Sequence, residues 1–302
     1  MSKNILITGA TGLVGRKLIP ALQAKGHQVS ILSRKHTNIK DVKVYLWDVY
    51  QQTIDENALT GIDTIIHLAG EGIADQKWTA KRKKEIVDSR VKSCELLYRT
   101  IAATKAPVST FVSASAVGFY GDRGEEVLTE TSAPGDGFLA DCCMEWENAA
   151  TAGLDLGIRV VKIRVGIVLS KEDGALAAME KPIRFFVGAP LGTGKQWMPW
   201  IHLNDIVKIF VTAVEDPNMA GPYNACAPYP VTNKLLTQSM AKKLHRPVWP
   251  ITVPVFVLKT IMGEMGILPL MSSNTSSQKL LDAGYRFDYV DLDKALEDIY
   301  KA

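Results

Sequence analysis

Three glycines spaced three residues apart, Gly9, Gly12 and Gly15, close an apolar run that begins at Asn4-Ile5-Leu6-Ile7-Thr8. A short β-rich run entering a glycine turn, followed by the helix-like Arg16-Lys17-Leu18-Ile19-Pro20-Ala21-Leu22, puts bare main chain at the start of a helix. Gly9 would allow the sharp strand-to-helix turn, Gly12 the approach of a pyrophosphate, and Gly15 close packing of helix on strand. The helix N-terminus adds unpaired N–H groups and the positive end of the dipole. Thr11, Leu13 and Val14 complete this candidate dinucleotide cradle.

The remainder of the first half repeats one theme. Strand-like runs at residues 28–33, 42–47, 64–68, 110–115 and 159–168 alternate with helix-like stretches, one ending near Lys25, one over roughly 79–104 and one over about 138–153. Such alternation predicts βαβ units and a buried parallel sheet with helices on both faces, an α/β doubly wound architecture. Right-handed crossovers would line all strand C-termini along one ligand-binding edge. Beyond residue 170, Gly188, Pro190, Gly192, Gly194 and Pro199 mark irregular structure, with helices expected near 204–215 and 233–243 and an apolar cap over 250–271. The expected division is a dinucleotide-binding domain over 1–170 and a smaller C-terminal α/β lobe over 171–302 that shapes a substrate pocket.

Charge and cysteine usage narrow the partners. A net charge of +3 over 302 residues is too small to point to nucleic acid, and Lys81-Arg82-Lys83-Lys84 reads as a solvated helix face. Cys94, Cys142, Cys143 and Cys226 form no CxxC pair and have no histidines at metal spacing, so reduced thiols, no metal and a cytoplasmic location are expected. No signal peptide is expected, and no apolar run reaches the roughly 18 residues of a membrane span.

The end of the second strand selects the cofactor. An Asp or Glu there would accept from a free ribose 2′-hydroxyl and repel a 2′-phosphate, but this chain has Ser33-Arg34-Lys35. A guanidinium fork and a hydroxyl suit a phosphate dianion, so NADP is expected over NAD. Asp48, at the end of the third strand, is placed to accept from an adenine amino group. The small residues of Leu68-Ala69-Gly70 would let the backbone pass the ribose.

Taken together, the glycine loop, His67-Leu68-Ala69-Gly70, the segment Ser113 to Gly121, Arg164-Val165-Gly166, Trp200-Ile201-His202-Leu203-Asn204-Asp205 and Tyr223-Asn224-Ala225-Cys226-Ala227-Pro228 resemble an extended short-chain dehydrogenase/reductase. The chain resembles in particular the atypical epimerase-family branch, related to sugar-nucleotide epimerases and carrying a C-terminal extension. The resemblance implies a Rossmann-type sheet and a cofactor site that takes in Ser113 and Arg164; Arg90 and Lys92, on the long helix, are placed to reach anionic groups, with i,i+4 ion pairing as the alternative.

It also implies a catalytic Ser, Tyr and Lys, the Lys lowering the Tyr pKa so that the phenol exchanges a proton during hydride transfer. Ser115 matches the serine. Aligned on Glu147, however, Leu139 falls at the Tyr position and Cys143 at the Lys position, and neither can do that chemistry. Tyr120 is the nearest phenol and the candidate substitute, while Asp141 and Glu145 are carboxylates one helical turn apart. Trp200 and His202 are candidates to line the substrate pocket. The expected function is an NADP-dependent oxidoreductase or epimerase acting on a sugar-nucleotide-like or other small carbonyl or hydroxyl compound. A non-catalytic NADP-binding module that reports redox state is the alternative. If copies pair as related folds do, the helices near 79–104 and 138–153 are the faces of a homodimer.

Overall fold

The computed structural model describes residues 2–301. In chain order, β1 (Asn4–Thr8), α1 (Leu13–Ala24), β2 (Gln28–Ser33), β3 (Lys43–Asp48), β4 (Thr53–Ile54), β5 (Thr64–His67), α2 (Ala80–Thr104) and β6 (Thr110–Ala116) form the first half. Next come β7 (Val127–Leu128), α3 (Phe138–Thr151), β8 (Arg159–Val165), β9 (Ile167–Leu169), α4 (Ala175–Arg184), β10 (Trp197–Met198), β11 (Trp200–His202), α5 (Leu203–Glu215) and β12 (Gly221–Ala225). β13 (Val231–Thr232), α6 (Asn233–Lys243), α7 (Val255–Met262), β14 (Asn274–Thr275), α8 (Gln278–Asp282) and α9 (Leu292–Tyr300) complete the chain.

Eight strands make the main sheet, in the order β12-β8-β6-β5-β1-β2-β3-β4, all parallel except β4. Because side chains alternate along a strand, each strand feeds two cores. Ile5, Ile7, Ile31, Ile66, Val112 and Val161 face α1 and α5, meeting Leu18, Leu22, Ile206 and Phe210. Leu6, Leu32, Ile65, Phe111 and Val160 face α2 and α3, meeting Leu97, Tyr98, Trp146 and Ala150. Burial on both faces is why these strands read as continuous apolar runs. A third core, with Leu176, Ile183, Trp200, Met240 and Leu296, holds the C-terminal lobe together from α4, α6 and α9.

The helices expected near 79–104, 138–153, 204–215 and 233–243 are present, the first capped by Thr79, whose hydroxyl accepts from the Arg82 N–H at 3.1 Å. The expected division at residue 170 needs correction. After the excursion through α4, β10 and β11, the chain returns as α5 to pack on the main sheet and as β12 to pair with β8. Residues 203–225 therefore belong to the sheet unit, and the C-terminal lobe is interleaved with it. Among the described residues, no helix is long and apolar enough to cross a membrane.

Candidate functional site

The C-terminal ends of β1, β2 and β5 open onto a groove of about 680 Å3, lined by Gly9, Thr11 and Gly12, by Ser33, Arg34 and Lys35, and by Leu68, Ala69 and Gly70. Gly9 has φ +67°, and a Cβ there would lie 2.7 Å from the Leu68 carbonyl carbon. A Cβ on Gly15 would lie 2.6 Å from the Ala10 main chain. Gly12 caps α1 without any side chain bonded to the first turn. The start of the helix therefore lies beside a bare main-chain turn that side chains at Gly9 and Gly15 would force apart, an arrangement that fits a pyrophosphate.

Beneath this cradle a neutral histidine ties β1 to β5 and α2. Thr8 Oγ1 accepts from the N–H groups of Leu68 and Ala69, so its own proton goes to His67 Nδ1 at 2.7 Å. His67 then carries its proton on Nε2 and donates to Ser93 Oγ at 2.9 Å, which donates in turn to the Arg90 carbonyl. Complete burial, with Arg90 close by, lowers the imidazole to about 3. The expected Leu68-Ala69-Gly70 passage is thus held in place by a charge-free network.

Arg34 stands at the groove rim, where Nη1 meets Glu71 Oε1 at 2.9 Å. Trp47, Val49 and Tyr50 line the same rim. Asp48 Oδ1 accepts from the N–H groups of Tyr50 and Gln51 and closes a turn at the end of β3. Arg90 is half-buried behind Gly70: Nη1 donates to the carbonyls of Glu71 and Ile86, and the guanidinium lies 4.9 Å from the Trp146 ring centre. A Cβ on Gly70 would come within 2.9 Å of that guanidinium carbon.

Residues expected in catalysis meet elsewhere. Ser115 Oγ donates to Glu147 Oε1 at 2.8 Å, and Glu147 takes Arg164 in a two-point ion pair, Nε to Oε1 at 2.7 Å and Nη2 to Oε2 at 2.9 Å. Arg164 Nη1 donates to the Tyr120 hydroxyl at 2.8 Å, and that hydroxyl donates to Asn224 Oδ1 at 2.6 Å. Tyr120 is fully buried, which pushes its phenol up to about 12 despite the neighbouring guanidinium. Ser115, Tyr120 and Arg164 lie outside the residues lining the groove and meet in a buried polar network joining β6, α3, β8 and β12. Ser113, also buried, donates to the Ala114 carbonyl.

A second cleft, of about 490 Å3, lies at the start of α3 beneath the segment that follows α7. Trp78, Lys83, Phe138, Leu139, Glu264 and Ile267 are among the residues lining it. Leu139 and Cys143 both pack toward the turn at Gly118, where a Cβ would sit 3.6 Å from Leu139 Cβ and 3.7 Å from Cys143 Sγ. Burial pushes the Cys143 thiol up to about 12, so it is neutral. Lys83 pairs with Glu264 and lies over the Phe138 ring at 5.4 Å.

Trp200 and His202, expected to line the pocket, do not reach this cleft. Trp200 is fully buried in the C-terminal core and donates to the Tyr229 carbonyl at 3.1 Å. His202 caps α5, Nδ1 accepting from the Asn204 N–H, and stacks on Tyr289 with ring centres 3.8 Å apart. Sequence reasoning missed Glu71 and Glu147. Glu71 directly follows Leu68-Ala69-Gly70, so its place beside the cradle is a signal the sequence carries, whereas nothing local marks Glu147.

Residues 5–226 match the NAD dependent epimerase/dehydratase family, and residues 253–299 match a domain of unknown function, DUF1731. Epimerase family protein YfhF of Bacillus subtilis is 38% identical over 98% of this chain and 97% of its own length. The crystal structure of human epimerase family protein SDR39U1 (isoform 2) with NADPH superposes with a TM-score of 0.88 at 29% identity, covering 98% of this chain and 99% of that one. UDP-glucose 4-epimerase of Thermus thermophilus, solved in complex with NAD, shares the fold at 17% identity and a TM-score of 0.75 over 98% of both chains.

Proposed function

Because the chain belongs to the NAD dependent epimerase/dehydratase family, we propose that its groove binds NADP(H) and that it acts as an oxidoreductase or epimerase on a small carbonyl or hydroxyl compound. The observation that carries the cofactor assignment is Arg34 at the groove rim, at the end of β2, in the absence of a carboxylate at that position. The NADPH held by the human relative supports the same choice. Main-chain N–H groups at Gly9–Gly15 and the start of α1 would hold the pyrophosphate, while Ser33 and Arg34 would take the 2′-phosphate. The nicotinamide, when bound, supplies the hydride.

The cleft at the start of α3 is the substrate site in this reading. Trp78, Phe138, Leu139 and Ile267 give it apolar walls that exclude water from the transferred hydride. α3 offers no tyrosine or lysine. The titratable groups facing the cleft are Lys83, Asp122, Asp136, Lys259 and Glu264, and a proton for the substrate oxygen comes from these or from water.

A second reading, a non-catalytic NADP(H)-binding module, is favoured by one observation: the Ser115 hydroxyl is engaged by Glu147. Calorimetric titration with NADPH and NADH, followed by turnover assays over a panel of carbonyl compounds, tests both. Selective NADPH binding with turnover supports the enzyme, and binding without turnover across the panel supports the module. If neither dinucleotide binds, both readings fall.

A further inference from the structure

Resting on the NADP(H) reading, we infer that Glu71 tunes cofactor choice, acting as a fixed counter-ion that the 2′-phosphate must outcompete for Arg34. Glu71 is anchored at three points, its carboxylate by Arg82 and its main chain by Ser89 and Arg90. Oε2 accepts from Arg82 Nη1 at 3.1 Å, the Glu71 N–H donates to Ser89 Oγ at 3.0 Å, and its carbonyl accepts from Arg90 Nη1 at 3.1 Å. Arg82 is itself buried and bonded: its side chain is 7% exposed, its Nη2 donates to the Gly72 carbonyl at 2.9 Å, and Glu85 also accepts from Nη1.

Arg34 is the opposite kind of group. Its side chain is 71% exposed, and Glu71 is its one ion-pair partner among the described residues. An exposed cation is thus paired with an anchored anion at the rim where the two cofactors differ. NADPH brings a dianion to this point and NADH a hydroxyl. The dianion meets a guanidinium already partly neutralised, and it meets the Glu71 charge as well. The hydroxyl meets no such opposition and can donate to a carboxylate. Glu71 therefore narrows the preference that Arg34 creates.

The test is calorimetric titration of NADPH and NADH into the wild-type protein, Glu71→Gln, Arg34→Ala and the double variant R34A/E71Q. Glutamine keeps the size and an acceptor for Arg82 while removing the charge. Glu71→Gln should bind NADPH about two- to fivefold tighter, the range of an exposed ion pair, and NADH no tighter. The gain should vanish in the Arg34→Ala background and shrink at high salt. Unchanged or weaker NADPH binding by a folded Glu71→Gln would overturn the inference, showing that Glu71 presents Arg34 rather than competing for it. A gain that survives loss of Arg34 would overturn it as well. If the wild-type protein binds NADPH selectively while these variants behave otherwise, the cofactor reading stands and only this inference falls. If it binds neither dinucleotide, both fall.

Discussion

Arg164 and Glu147 face each other in the protein interior through two parallel hydrogen bonds of 2.7 and 2.9 Å, each side chain no more than 5% exposed. Lys162, 3.6 Å from Glu147, adds a second cation. A pair buried this deeply is costly to break from one side, because the remaining charge stays out of water without a partner. Glu147→Gln or Arg164→Met should each lose about 3–5 kcal/mol of folding free energy in urea unfolding, whereas exchanging both for apolar residues should cost much less than the sum. Near-additive losses would show that the two groups are not coupled.

The glycine cradle makes a sharper claim. Alanine at Gly15 would drive its Cβ to 2.6 Å from the Ala10 main chain, and alanine at Gly9 adds a positive φ to a similar collision. Both variants should lose dinucleotide binding by more than tenfold in calorimetry, and Gly9→Ala should also be less stable by about 1 kcal/mol or more.

Replacing Arg34 with Asp reverses the charge met by the ribose. NADPH affinity should fall and NADH should become the preferred ligand in side-by-side titrations. Unchanged relative affinities would remove Arg34 from the cofactor site.

His67 gives stability a defined pH dependence. Its imidazole is held to about 3 in the folded protein against 6.5 for an ordinary histidine, so the unfolded chain binds the extra proton between those values. The contribution is complete above pH 6.5 and is lost as pH falls through the window, at up to about 1.4 kcal/mol per pH unit. Urea unfolding of the wild-type protein at pH 7.5, 6, 5 and 4 should show this slope, and His67→Gln should show less of it. Equal slopes would contradict a neutral buried imidazole.

What was legible in the sequence was local. The cradle at Gly9, Gly12 and Gly15 and the strands on either side of α1 follow from patterns within some thirty residues, and the groove forms where they predict it. The polar network was not legible, since Ser115 and Glu147 lie 32 residues apart and Tyr120 and Arg164 lie 44 apart. Their meeting depends on how α3 settles over β6 and β8, which no spacing records. The surroundings of His202 are hidden from sequence for the same reason: its ring stacks on Tyr289, on a loop near the C-terminus.

The return of the chain to β12 also has a bearing on biosynthesis. While the ribosome is still making the segment between Val165 and Gly221, the nascent sheet ends at β8, whose backbone offers an unguarded parallel edge with no proline in the strand. Only after residue 225 emerges does β12 cover that edge, bringing Pro222, which donates no ladder hydrogen bond, to the new boundary. A chain stalled or cleaved between those points would keep the β8 edge open. The excursion that builds the C-terminal lobe therefore lengthens the time during which self-association competes with completion of the sheet.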